Sequence, residues 1–264
     1  MADDVDSAKD IAHQSIWDEL RGTTQARIGL GGAGNTLPTR QVLELAAAHA
    51  AARDAVHESL DVEALTGAVR AVGIGEPTVV HSRAGSRAEY LRRPDLGRVP
   101  VEPLRMPHAQ ADVGFVLADG LAPRALATHG PPLLAALAAA LPGYSLASPV
   151  IATHARVAIG DHIAAAAGWH TVLVLIGERP GLSVPDSVGI YLTHRPRHGC
   201  TDADRNCISN IHPPEGLGYA DAARVAAALL AGARELGRSG VVLKDTSRQN
   251  VILPDGLMTK PCCP

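Results

Sequence analysis

Glu178 follows the apolar run Thr171–Ile176 and Gly177, and precedes Arg179, Pro180 and Gly181. Proline presets φ and glycine permits the positive φ of a type II turn, so the carboxylate is held on a sharp bend at a strand end. There it can accept hydrogen bonds from a hydroxyl or amide of a ligand, with Arg179 as the neighbour that would otherwise pair with it. Farther on, residues 205–212 (RNCISNIH) place a thiol, two amides, a hydroxyl and an imidazole in eight residues with only two aliphatics. That composition suits a strand or loop lining a cavity, not core. Cys207 within it reads either as a small buried hydrophobe or as a functional thiol, and its neighbours decide which.

These groups need a scaffold, and one is legible from Val113 onward, where short apolar runs alternate with helical patterns. The spacing predicts strands over Val113–Ala118, Pro149–Thr153, Thr171–Ile176, Gly189–Thr193 and Val241–Leu243. Helices are predicted over Arg124–Leu141, Ile159–Ala167 and Tyr219–Leu236. Such alternation predicts an α/β fold, a Rossmann-like, mostly parallel sheet with flanking helices, plus a smaller, mainly helical N-terminal region. Each strand ends in polar residues: Asp119 and Gly120, His154 to Arg156, Gly177 to Arg179, His194, then Lys244 and Asp245. In open α/β sheets ligands sit beyond the carboxyl ends of the strands, so these exits predict a binding crevice. Asp119 could instead simply cap a helix.

The chain divides on this reading into an arm over 1–21, a helical and irregular region over 22–105, and an α/β domain over 106–264. In the arm, Ile11, Ile16, Trp17 and Leu20 fall at helical spacing, either to dock on a partner or to pack on the chain's own domain. Pro38 suits the first turn of an alanine-rich helix whose inner face would hold Val42, Leu45, His49, Ala52 and Val56. Between them, residues 29–34 (GLGGAG) match the dinucleotide-binding pattern, and Asp54 stands where a ribose-binding acid would. That match supports an alternative function, an NAD-dependent oxidoreductase. Against it, the preceding strand would span only Ala26–Leu30, and Pro38 would fall inside the pyrophosphate-binding helix. The competing reading is a tight loop where backbone approaches a neighbouring surface.

Several function classes are excluded. Net charge is −3 and the arginines are scattered, so no nucleic-acid footprint exists. No apolar stretch reaches membrane-spanning length, and the acidic N-terminus is no secretory signal. The four cysteines (200, 207, 262 and 263) lack zinc-knuckle spacing and are expected to stay reduced inside a cell, with Cys262 and Cys263 in a tail. No G-x-S-x-G or H-E-x-x-H motif occurs, which argues against a serine hydrolase and a catalytic zinc. One phenylalanine, two tryptophans and four tyrosines are few for 264 residues. Helices must therefore pack through small side chains.

Residues 27–34 (RIGLGGAG), 89–98 (EYLRRPDLGR), 119–121 (DGL), 177–182 (GERPGL) and 205–212 (RNCISNIH), in this order, resemble the small subunit of ethanolamine ammonia-lyase. The likeness covers about Trp17 to Asp245. It implies an adenosylcobalamin enzyme that converts ethanolamine to acetaldehyde and ammonia by radical chemistry supplied by the cofactor. It further implies a hetero-oligomer in which a large barrel subunit holds substrate and most catalytic groups, so this chain alone would be inactive. The family's cobalamin contacts fall on Val157, Glu178 and Cys207: backbone or apolar contact, polar contact to the cofactor's amides or nucleotide loop, and packing or weak polar contact. The D-x-H-x-x-G signature of a histidine-ligated cobalt is absent, so the cofactor is expected to be base-on, with no histidine of this chain assigned to metal. The implied location is cytoplasmic, with or without enclosure in a bacterial microcompartment. About sixteen residues precede Trp17, fewer than the extensions associated with such packaging.

Overall fold

The computed structural model describes residues 16–32, 34–108 and 110–247. Ile11 of the arm and Cys262 and Cys263 lie outside them. The described chain runs α1 (Thr39–His57), α2 (Val62–Arg70), β1 (Thr78–His81), α3 (Arg87–Arg92), β2 (Val113–Ala118), α4 (Pro123–Ala140), β3 (Val150–Thr153), α5 (Ile159–Ala167), β4 (Thr171–Gly177), β5 (Val188–His194), β6 (Asn206–Ile211) and α6 (Tyr219–Leu236). The strands form one sheet in the order β1-β3-β2-β4-β5-β6. The pairings β1 with β3, β3 with β2 and β2 with β4 are parallel; β5 is antiparallel to both its neighbours.

Alternation along β4 sorts the core. Leu173 and Leu175 face one side with Phe115, Leu117, Leu133, Leu134, Leu137 and Leu230, under α4 and α6. Val172, Val174 and Ile176 face the other with Val116, Ile159, Ile163 and Trp169, under α5. β2 and β4 are buried along their whole length, as strands covered on both faces must be. Small residues set the layer spacing as the composition predicts. A side chain at Gly160 of α5 would press into Val174 of β4, and one at Gly114 would meet the Trp169 ring.

Helix α5 is also tied across the sheet. Arg205 Nη2 and Nη1 donate to the two oxygens of Asp161 at 2.7 and 2.8 Å, and Nη1 also donates to Thr193 Oγ1 at 2.9 Å. The two side chains are only 2% and 3% exposed, so each charge depends on the other.

The structure corrects several expectations. Residues 241–243 are not a strand: a turn follows Gly240, with Val241 66% and Val242 47% exposed. β1, within a stretch read as irregular, pairs with β3 at the sheet edge. Pro38 is the N-cap of α1 and not a residue of its first turn. On α1, Leu45, Ala52 and Val56 are half-buried, but Val42 and His49 are exposed. Among the described residues no strand precedes the glycine loop; instead the Trp17 ring lies where a side chain at Gly29 would project, and Arg21 donates to the Ile28 and Gly29 carbonyls. Backbone approaching a neighbouring surface is what the glycine serves, which removes the structural basis of the NAD reading.

Asp161→Ala is expected to lower unfolding stability by about 3–5 kcal/mol, because Arg205 would stay buried without its anion. Chemical denaturation of the purified chain measures it.

Candidate functional site

The chain winds in two directions from the middle of the sheet. After β2, α4 crosses one face and leads outward to β3; after β3, α5 crosses the opposite face and returns inward to β4. The carboxyl ends of β2 and β4 therefore flank the point where winding reverses, the place where loops diverge and leave a crevice. A cleft of about 400 Å3 opens there, lined by Gly120, Leu121, Val157, Gly177 and Glu178, with Tyr90, Arg156, Arg179 and Tyr191 around them.

Two glycines let the β2 and β4 exits interlock. A side chain at Gly120, whose φ is +56°, would strike the Gly177 carbonyl, and one at Gly177 would strike the carbonyls of Ala122 and Asp119. The Leu121 amide donates to that same Gly177 carbonyl at 2.9 Å. The cleft floor is thus backbone against backbone.

Asp119 builds the adjoining wall. It does not cap a helix; its carboxylate accepts the amides of His154 and Ala155, both at 2.8 Å, and so fixes the turn leaving β3. His154 holds a positive φ there. Burial pushes the Asp119 carboxyl up, against the pull of those amides and of Arg87. Arg87 Nη1 donates to the Gly120 carbonyl at 2.7 Å while Nε donates to Val56 at the end of α1 at 2.8 Å. Buried Tyr90 bonds the Ala155 carbonyl at 3.2 Å and has the Arg156 guanidinium 4.8 Å from its ring centre. These contacts present Arg156 and Val157 to the cleft.

Glu178 occupies the opposite side. Its Oε2 accepts the Ser187 hydroxyl at 2.6 Å and the Asn210 amide at 3.1 Å. Gly189 leaves room for it, since a side chain there would meet Oε1. One oxygen is pinned by β5 and β6, and Oε1 carries no hydrogen bond among the described residues. Arg179 forms no ion pair with Glu178, contrary to expectation; successive residues of an extended chain point apart, and the neighbours that bind the carboxylate come from other strands.

Cys207 stands two strands away from β4. It is opposite Tyr191 in the β5–β6 register. The residue is exposed overall, yet desolvation of its thiol, joined by the Glu178 carboxylate, pushes its pKa up against the opposing influence of Tyr191. Burial, followed by Cys207, likewise raises Tyr191. A raised thiol is a poor nucleophile. Cys207 also borders a second cavity, of about 500 Å3, between β6, α6 and residues 243–245.

The structure thus brings Val157 and Glu178 into one cleft and joins Cys207 to it through Tyr191. Tyr90 and Tyr191 had no local signal; they enter only through tertiary packing and strand pairing. Two predicted exits do not reach the cleft. β5 runs opposite to β4, so His194 sits at the far rim, where its Nδ1 lies 2.8 Å from Thr171 Oγ1 at the start of β4. Lys244 and Asp245 border the second cavity. Among the described residues no helix is long and apolar enough to cross a membrane, and no three His, Cys, Asp or Glu residues are grouped to hold a metal.

Residues 14–244 match the family model described as ethanolamine ammonia-lyase light chain (EutC). The chain is 65% identical over 245 residues to an ethanolamine ammonia-lyase small subunit from Rhodococcus erythropolis, covering 92% of this chain and 95% of that one. It is 45% identical over 257 residues to the small subunit from Ralstonia nicotianae, covering 94% of each chain. The small subunit from Azotobacter vinelandii is 46% identical over 245 residues, covering 89% of this chain and 90% of that one. With matches that span nearly its whole described length, the chain belongs to the ethanolamine ammonia-lyase light-chain family, the small subunits of a carbon–nitrogen lyase.

Proposed function

We propose that this subunit holds adenosylcobalamin against a large barrel subunit for the conversion of ethanolamine to acetaldehyde and ammonia. The observation that carries the reading is the cleft at the winding reversal, with Val157 and Glu178 in its lining and Tyr191 leading from it to Cys207. Its volume is at the small end of the range that buries a drug-sized ligand, and a corrin with its side chains and nucleotide tail is far larger. The cleft would be one wall of a site completed by another chain.

The residues fit such a cofactor. A corrin carries many amide side chains, and Glu178 Oε1 is an acceptor already oriented through Oε2. Val157, Leu121 and Ile176 offer apolar contact, and the Val157 amide donates to no described residue. Beyond the cleft the same sheet face lies open: α5 packs on β4, while Cys207 and Ser209 of β6 are exposed and Tyr191 is half-buried. Cys207 would lend packing or a weak polar contact and, with its thiol kept protonated, would not attack the cofactor. Among the described residues no histidine lines the cleft, and none of this chain is assigned to the cobalt. When bound, adenosylcobalamin supplies radical chemistry from its cobalt–carbon bond; this chain's part is to bind, orient and exclude water. Substrate contacts belong to the large subunit.

Glu178→Ala is expected to weaken cobalamin retention by the two-subunit complex roughly ten- to a hundredfold, the worth of a hydrogen bond to a charged group, with subunit assembly intact. Equilibrium dialysis and size-exclusion chromatography read the two effects; unchanged retention removes Glu178 from the site. Cys207 gives an independent check. In the isolated chain its alkylation by iodoacetamide should be slow at neutral pH and accelerate as pH rises above the ordinary thiol range, because a raised pKa keeps thiolate scarce. In the complex with cobalamin it should be shielded at every pH, and peptide mass spectrometry follows both.

A further inference from the structure

We infer that Arg156 is the anion receptor of the cleft and that it takes the phosphodiester of the cofactor's nucleotide tail, an inference that rests on the cofactor reading above. The two buried arginines among the described residues have anionic partners, whereas Arg156 is half-buried. Arg205 is paired with Asp161, and Arg87 lies 3.5 Å from Asp119. Arg156 has none. Among the described residues its guanidinium makes no ion pair and no hydrogen bond, and its only close partner is the face of Tyr90. Its Nε is shielded from solvent with no acceptor, as are one nitrogen each of Arg87 and Arg205; what sets Arg156 apart is the lack of any anion beside it.

The surroundings hold this arrangement in place. The Arg156 amide donates to the Gly97 carbonyl at 2.7 Å, and Gly97 is closed in by Tyr90 and the His154 carbonyl. Backbone and ring together orient the guanidinium before any ligand arrives. Arg179, also in the cleft lining, adds a second guanidinium with no ion pair among the described residues. The lining's one carboxylate, Glu178, is engaged with β5 and β6. With two guanidiniums that have no ion pair among the described residues against one carboxylate, the lining carries a net positive charge and favours an anion. In a base-on cobalamin whose corrin side chains are amides, the phosphodiester of the nucleotide tail is the group of that charge. Guanidinium and phosphate match in planar, forked geometry.

The test compares two probes on the two-subunit complex: cyanocobalamin, and cobinamide, which lacks the phosphate, ribose and base. Arg156→Met keeps an unbranched stem over Tyr90 and removes the charge; Arg156→Lys keeps the charge without the fork. Arg156→Met should weaken cyanocobalamin binding by about tenfold or more, as for a lost charge-assisted hydrogen bond. Cobinamide binding should stay within error of the unsubstituted complex, and Arg156→Lys should restore part of the loss. Binding is read from the absorbance of retained corrinoid after dialysis, with assembly checked by chromatography. Equal weakening for both probes, or none for either, overturns the inference while leaving the Glu178 reading intact. If the unsubstituted complex retains neither probe, the cofactor reading itself fails and this inference falls with it.

Discussion

The buried carboxylate of Asp119 is the constraint on which this end of the molecule depends. It leaves β2 at the winding reversal, accepts the two amides that turn the chain after β3, and sits beside Arg87, which reaches the Gly120 and Val56 carbonyls. A single side chain thus joins the exits of two strands, and its partner adds the end of α1. Ionised carboxylates are rarely buried unless their lone pairs are satisfied, and here two amides and a guanidinium do so. Because the turn it fixes carries Arg156 and Val157, the position of one cleft wall follows from an electrostatic requirement deeper in the fold.

The other wall uses different physics. Glu178 is held by hydrogen bonds to Ser187 and Asn210, which are adjacent to β4 only because β5 turns back antiparallel and β6 returns parallel to β4. The reversed strand brings the start of β5 and the end of β6 to the same rim as Gly177. An all-parallel sheet would have placed a strand exit there instead, with no such pair of donors. The antiparallel excursion is therefore part of what orients the carboxylate, and it also leaves β6 as an edge strand with one face open.

These two walls explain what could and could not be read from sequence. β2, β3, β4 and β5 were legible because unbroken apolar runs end sharply in polar residues, and α5 and α6 because their small residues recur at helical spacing. Val241–Leu243 has the same apolar character, but the turn after Gly240 leaves Val241 and Val242 in solvent; a three-residue run carries no sign of whether a neighbour will pair with it. β1 was hidden for the converse reason, since four residues among glycines and prolines become a strand only when β3 lies alongside. Strand direction is likewise not local information, so His194 looked like one more exit to the shared crevice. The Glu178 bend was expected from its proline and glycine as a type II turn, but Gly181 does not take the positive φ that such a turn needs. The true partners of the carboxylate were not legible, because they lie nine and thirty-two residues away in sequence.

The distribution of charge separates scaffold from site. Where the fold buries an arginine deeply for its own stability, it supplies the anion: Asp161 for Arg205 and Asp119 for Arg87. Buried charges left unpaired are costly, so that pattern is what folding alone would select. Arg156, half-buried and stacked on Tyr90, has no anion among the described residues, in the same cleft as a carboxylate that keeps one oxygen free. Both groups lie at the winding reversal, beside the open face of β5 and β6. A small subunit that gives its buried arginines an anion yet leaves Arg156 without one, beside a free carboxylate oxygen at one rim, is built to be completed there, by a ligand and by the chain that covers it.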